Sequence, residues 1–547
     1  MAFLLALTAG LVSLFLWLRK VGAREPTLPP GPPTVPILGN LYDFPTEFPH
    51  YRFTEWARQY GGLYSLKIGP GTAIVITNVA DVNELMNKQS RATADRPHMH
   101  IADAVTNGLN MGMAQYTEQW RTHRKAAHTI LMPQAVARHL PIQNAEAMQL
   151  LQDLLRRPRG FYNAIGRYAS SVILSVLYGT RAPRYESPAT AAFFKAQHEW
   201  ECLLEPGATP PIDMIPLLKY VPERFAKWKR NVRKTRDLQR AVYFGLLDKT
   251  KERMQSGEAN GSYMEEILAR KQEFGLDYEN IGYLGGALIE GGAGSTASYL
   301  QSLLMVLTAY PNVQKKAQEE VDRVVGQSRM PKLEDLEHMP YLRAITLELH
   351  RFRPVAPLMI PHATITPVEY KGYTIPAGTT IFINACELLS LHLPPQSLLM
   401  ILLRIGELYD DPETFNPDRY VLTENGTKPG VDAPDLKPNF IFGVGRRVCP
   451  GVHLAQNSVN INVMNLVWAF NYTAENDAAG RPEPPDVWNY HKGVLSVPKP
   501  FKCKITPRTP AKAEMIERGL AEATETFEKF EYGLEHEDKE FVERARA

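Results

Sequence analysis

The chain has 547 residues, 44% of them hydrophobic and 22% charged, which is the balance of an ordered globular protein and excludes a disordered one. A net charge of +2 excludes the strongly basic surface that nucleic acid would select. The four cysteines, Cys202, Cys386, Cys449 and Cys503, are far apart with no C-x-x-C pair, so there is no local zinc knuckle and no disulfide framework. Reduced thiols, in or facing the cytosol, are expected.

Ala2 to Leu18, AFLLALTAGLVSLFLWL, carries no charge and is followed by Arg19, Lys20 and Arg24. As a helix it would span roughly 25 Å, enough for a thin bilayer such as that of the endoplasmic reticulum. A cleaved signal peptide would carry its positive charge before the apolar run, whereas here it follows. An uncleaved anchor over residues 1–20 is therefore predicted, with the bulk of the chain on the cytosolic side. Residues 21–40 form a proline-rich hinge, whose segment Leu28–Asn40 holds five prolines. Such a segment is stiff and extended, suited to holding a globular body at a fixed distance from the membrane.

No repeat or linker divides residues 41–505, so one large domain is expected there. Leu63–Ile68 and Ala73–Thr77 flank Gly-Pro-Gly and read as a hairpin. Runs from Asp81, Asn144 and Arg230, and from Asp277 to Tyr310, show helical spacing, and short extended pieces return near Tyr370–Ile383. The fold class is thus mainly α with small β-sheets. Residues 506–547 are charged and helix-prone, and read as a solvated C-terminal extension.

Two segments depart from ordinary helices and loops. Gly285, Gly286, Gly291, Gly292 and Gly294 fall within one helical stretch. Each costs about 1 kcal/mol against alanine in a helix interior. Either the helix bends and lets another group approach its backbone, or neighbouring helices pack unusually close. The second segment is FGVGRRVCPG, residues 442–451. Pro450 suits a helix's first turn, so Cys449 is placed at or just before a helix N-terminus, where an anion is favoured and a thiol pKa falls. Gly443 and Gly445 let backbone N–H groups turn towards the sulfur, while Arg446 and Arg447 can neutralise carboxylates alongside. That is the environment of a thiolate bound to haem iron. A cysteine nucleophile with His453 as its base lacks an orienting third group, and a structural thiol leaves the glycines and arginines unexplained.

The loop resembles the haem-binding signature of cytochrome P450, F-x-x-G-x-R-x-C-x-G, with Phe442, Gly445, Arg447, Cys449 and Gly451 at every fixed position. The resemblance runs from the anchor to about residue 505 and implies the largely helical fold of that family, with haem b between two long helices and Cys449 as its axial ligand. In the same family, Glu348 and Arg351 of ELHR, with Arg419 of FNPDRY, correspond to a buried network that supports the cysteine loop. Trp120 and Arg124 of WRTHR, and His362, correspond to groups that meet the haem propionates. The family's A/G-G-x-D/E-T-T/S is met by Gly291, Gly292 and Thr296, whereas Gly294 replaces the acid and Ser295 the threonine. Ser295 can supply the alcohol needed for proton delivery. Glu290, one turn before Gly294, is the candidate for the missing acid.

The resemblance further implies a membrane-bound monooxygenase similar to fungal enzymes of secondary metabolism. It would use O2 and electrons from a separate NADPH-cytochrome P450 reductase docking near Arg446, because residues after 505 are too few for flavin domains. Substrate would meet Ala102–Tyr116, Glu201–Met214, Ala287, Gly291 and Val355–Ile360, mostly apolar positions that suit an aromatic polyketide, phenol or terpenoid. Without an acid at 294, a rearrangement or dehydration without oxygen insertion stands as the alternative. Residues 386–406 are long and apolar for their place. They read as translated intron, which could leave a non-catalytic product, or as a membrane-contacting insertion.

Overall fold

The hairpin forms from Leu63–Ile68 (β1) and Gly71–Ile76 (β2), paired antiparallel from Leu63 opposite Ile76 to Ile68 opposite Gly71. Gly69, at φ +60, makes the turn possible. His362–Ala363 (β3) and Thr380–Ile383 (β4) complete a four-stranded sheet in the order β1-β2-β4-β3, with β4 parallel to β2. Phe470–Thr473 (β5) pairs with Lys504–Pro507 (β6) elsewhere. The computed structural model describes residues 13, 20–205, 207–385, 408–431, 435–436 and 438–546. The anchor expected over residues 1–20 lies outside these apart from Ser13 and Lys20, and so do residues 386–406. Among the described residues no helix is long and apolar enough to cross a membrane.

The hinge is docked rather than free-standing. Ser65 of β1 donates from its N–H to the Pro30 carbonyl and from Oγ to that of Pro29, and Arg24 clamps Ser65, Gly31 and Pro32.

Helices build the rest. Those that frame the site are Pro49–Tyr60 (α1), Glu118–Leu131 (α2), Leu140–Arg156 (α3), Phe161–Tyr178 (α4), Lys227–Gln255 (α5), Tyr278–Ala309 (α6), Pro340–Phe352 (α7) and Val452–Ala469 (α8). The 32-residue α6 starts at Asp277, whose carboxylate caps the Asn280 N–H at 2.8 Å. It is buried on nearly every side, as expected of a helix that is apolar all round, and it packs against the equally buried α4. The glycine-rich stretch continues as regular α-helix, so the glycines are not spent on a break.

The tail folds as Pro510–Glu528 (α9) and His536–Arg546 (α10). Its reading as a solvated extension holds for the outer face alone. Met515, Ile516, Ala523 and Phe527 are buried in the main core with Phe530. Arg508 and Lys512 both pair with Asp322, Arg181 pairs with Glu531, and Arg184 pairs with Asp538. Even spacing of charges concealed an amphipathic helix whose apolar face belongs to the core.

Candidate active site

Residues 442–451 form a tight loop that enters α8. The Cys449 N–H donates to the Phe442 carbonyl at 2.7 Å. Gly443 (φ +91) and Gly445 (φ +59) occupy the left-handed region. A side chain at Gly445 would overlap the Met86 carbonyl, and its N–H donates to Asn87 Oδ1 at 2.9 Å. The helix proper begins at Val452 with Gly451 as its N-cap, so Cys449 stands three residues before its first residue. The Gly451 N–H and Arg124 favour the thiolate, but burial outweighs them and pushes the thiol up. The expectation that the helix end alone lowers this pKa is thus overturned. A coordinating cation is what would hold the sulfur deprotonated. His453 faces solvent and makes no hydrogen bond to Cys449, so the pair needed for a cysteine nucleophile is not formed.

Three arginines converge beside this loop. Arg447 is buried, with Nε and Nη2 donating to the carbonyls of Ala94 and Ala114 at 2.7 and 2.9 Å, and its guanidinium lies 3.9 Å from the centre of the Trp120 ring. Its Nη1 is a buried donor without a partner. Arg124 makes neither hydrogen bond nor ion pair among the described residues. Burial pushes its pKa down and that of Arg447 to about 10. Arg96, which sequence reasoning missed, donates to the carbonyls of Gly112, Ile360 and Pro361, and burial first, then repulsion by Arg447, pushes it down to about 9. So much positive charge with Asp95 as its nearby carboxylate, plus an orphaned donor, is a cradle for an anionic group. The residues fit haem, whose propionates Arg124 and Arg447 would hold while Cys449 takes the iron.

Two expected propionate contacts have other partners. Trp120 Nε1 donates to the Met111 carbonyl at 3.0 Å, so this ring serves as the shelf under Arg447. His362 is buried with Nδ1 3.0 Å from the Thr93 carbonyl, which accepts only; the proton is therefore on Nδ1, and Nε2 is an acceptor in the neutral ring. Burial and the neighbouring arginines push this ring to about 3.

The Glu–Arg–Arg network is present and fully buried. Glu348 accepts from Arg351 at 2.7 and 2.8 Å, from Arg419 at 3.1 Å and from the Asn416 N–H at 2.8 Å. Arg351 and Arg419 then tie down the carbonyls of Pro412 and Asp410. The link to the cysteine loop runs through His350 of α7, whose ring meets Phe442 edge-on at 5.8 Å and Tyr299 of α6 at 4.7 Å.

On α6, close packing explains several of the glycines. A Cβ at Gly285 would overlap the Tyr178 hydroxyl, one at Gly286 the Tyr243 ring, and one at Gly292 would stand 2.6 Å from Ile173. Gly291 differs: it is exposed, with nothing within 4 Å of a Cβ. Ser295, one turn on, is partly accessible, and its Oγ donates to the Gly291 carbonyl at 2.7 Å. Thr296 is buried. Glu290 has no hydrogen bond to Ser295. Its Oε2 accepts from Asn110 Nδ2 at 2.7 Å, and its Oε1 accepts from Gln239 Nε2 at 3.0 Å and from the Tyr243 hydroxyl. Burial pushes this carboxyl up to about 7. Gln239 and Tyr243 carried no sequence signal beyond the glycine that makes room for the tyrosine, whereas Asn110 lies within the Ala102–Tyr116 segment expected to meet substrate.

Comparison with known proteins agrees with this geometry. The cytochrome P450 family profile matches residues 29–505. A cytochrome P450 monooxygenase of Armillaria gallica is 41% identical over 97% of this chain and 99% of its own. The cytochrome P450 monooxygenase atE of Aspergillus terreus is 34% identical over 95% of both chains. Among solved structures, a zebra fish cytochrome P450 with abiraterone superposes with a TM-score of 0.65 at 23% identity, covering 84% of this chain and all of that one, a likeness of fold.

Proposed function

Because this chain belongs to the cytochrome P450 family of monooxygenases, we propose that it binds haem b through Cys449 and oxidises a hydrophobic small molecule with O2. A fungal secondary metabolite, such as an aromatic polyketide, phenol or terpenoid, fits the mostly apolar positions around the site. The observation that carries this reading is the cysteine loop facing an arginine cradle in which Arg447 Nη1 has no partner. When bound, haem supplies the redox-active iron at which dioxygen is reduced.

The protein's own residues do the rest. Arg124 and Arg447 would hold the propionates. Glu348, Arg351 and Arg419 fix the segment behind the loop, and Phe442 and His350 pass that rigidity to it. Gly291 is exposed with nothing against it, and Ser295, one turn on, would hold a hydroxyl on the same helical face for proton delivery. Electrons would come from an NADPH-dependent reductase docking on the side of the exposed Arg446. The uncharged stretch Ala2–Leu18 would anchor the chain in the endoplasmic reticulum with the catalytic domain in the cytosol.

Two measurements on the purified protein test the reading. The ferrous carbonyl is expected to show the red-shifted Soret band of thiolate ligation, and product formed under isotopically labelled dioxygen is expected to carry the label. An ordinary Soret band overturns the assignment of Cys449. A thiolate band with unlabelled product points instead to the rearrangement or dehydration favoured by Gly294 in the acid's place.

A further inference from the structure

Glu290 is out of place as an ordinary structural carboxylate. The accessible residues of α6 between positions 281 and 300 are Ala287, Glu290, Gly291, Gly292, Gly294 and Ser295, and helical spacing places all but Gly292, which is turned towards Ile173 of α4, along one stripe. On that stripe Glu290 is the one ionisable group. No lysine, arginine or histidine pairs with it among the described residues, yet three donors from two other parts of the chain hold it: Asn110 from the loop before α2, and Gln239 and Tyr243 from α5. The glycines prepare this arrangement, since Gly285 and Gly286 let the Tyr178 hydroxyl and the Tyr243 ring press against α6 one turn below. Beside the carboxyl, Tyr178 OH and Gln239 Oε1 are buried polar atoms without partners. A helix that gives up glycine stability to gather polar groups around an uncompensated acid is not optimising its own packing.

Counting lone pairs shows what the carboxyl can still do. Oε1 already accepts two hydrogen bonds and is saturated. Oε2 accepts one, from Asn110, and keeps one position open. An ammonium group would arrive with three donors and a charge to desolvate, for one open acceptor. A neutral hydroxyl brings one donor, which matches. Around it the stripe offers little but glycine and alanine, and Leu495 lies 3.3 Å from where a Cβ on Gly294 would stand.

We propose that the accessible face of α6 takes substrate by a hydroxyl group, phenolic or alcoholic, which donates to Glu290 Oε2 and so fixes which carbon is presented for reaction. Glu290 is then a substrate-orienting residue rather than the acid that serves Ser295. The inference rests on the monooxygenase reading and names the substrate class for that same site.

The test uses the haem-loaded protein and a series of phenols of one to three rings, each with its methyl ether, with affinities read by equilibrium dialysis. Each ether keeps the carbon frame and loses the donor. At about pH 8.5, above the value of about 7 to which burial pushes the Glu290 carboxyl, phenols that bind are expected to do so at least about ten-fold more tightly than their ethers, the scale of a hydrogen bond to a charged group. Glu290→Leu is expected to bring that ratio close to one, and Glu290→Gln, which keeps the volume should the leucine variant not fold, to reduce it at least about three-fold. Equal affinity of phenol and ether in the natural protein, no binding by any phenol, or a ratio that survives both substitutions overturns the inference. Loss of the thiolate carbonyl band in the natural protein would instead overturn the haem assignment, so the two failures are distinguishable.

Discussion

The claim that the C-terminal tail is core can be tested at Phe527, which lies beyond the span matched by the family profile. Its side chain is 4% exposed, and the Arg181 guanidinium sits 3.5 Å from the ring centre. Removing a buried phenylalanine costs about 3–5 kcal/mol, and a desolvated cation–π contact about 2 kcal/mol. The two share atoms, so Phe527→Ala is expected to cost about 4–5 kcal/mol in all. Unfolding entropy at about 2.1 cal/mol/K per residue over 547 residues is ~1.1 kcal/mol/K, which converts this cost to a fall in Tm of about 4 °C. Thermal melting and urea titration of the haem-loaded protein measure it. Glu522→Ala, on the exposed side of the same helix, serves as the control and is expected to stay within about 0.5 kcal/mol. If Phe527→Ala behaves like Glu522→Ala, the tail is a solvated extension after all.

Glu348→Gln leaves Arg351 and Arg419 buried without their counter-charge; a loss of about 3–5 kcal/mol and of the thiolate carbonyl band is expected, read by urea titration and carbonyl spectrum. Arg447→Leu should speed haem transfer to an apo-globin at least about ten-fold, since it removes charge-assisted contacts on the propionate side; an unchanged rate would place the propionates elsewhere. His350 is pushed down to about 3 by burial, below the unfolded value of about 6.5, so the unfolded chain binds the extra proton and stability is lost as pH falls between the two values. The loss is about 1.4 kcal/mol per pH unit, and His350→Leu should remove that much of the acid slope of stability. Ser295→Ala is expected to uncouple reductant consumption from product formation, measured as the ratio of product to NADPH; a preserved ratio removes Ser295 from proton delivery.

What could be read in the sequence was whatever local spacing encodes. Cys449, Gly443, Gly445 and Arg447 are consecutive enough for the loop's geometry to be inferred from its own residues. The pairing of Glu348 with Arg351 follows from one turn of helix. Arg419 stands 71 positions after Glu348, and only the family resemblance suggested it. Arg96 carried no such cue: its three acceptors are carbonyls from two distant segments, and a backbone oxygen has no residue identity to recognise. For the same reason Trp120 was assigned to a propionate when its N–H goes to a carbonyl nine residues away. The tail failed differently, because its composition is polar while its burial depends on which face of the helix each apolar residue occupies.

Glu290 shows how the two kinds of information combine. Sequence placed it one turn before Gly294 and offered it to Ser295, because i,i+4 neighbours share a face. That geometry fixes the stripe but not the direction of a long side chain, which is decided by what competes for it. Three donors compete here, and one of them, Tyr243, is present because Gly286 lets its ring approach. A carboxyl so occupied cannot swing to Ser295 without leaving Asn110, Gln239 and Tyr243 unpaired in a buried site, at about 1–3 kcal/mol each. Ser295, for its part, is already bonded to the Gly291 carbonyl. Proton delivery and substrate orientation are therefore separable on this helix, and the Ser295 and Glu290 substitutions should give different defects: poor coupling in the first, loss of hydroxyl discrimination in the second.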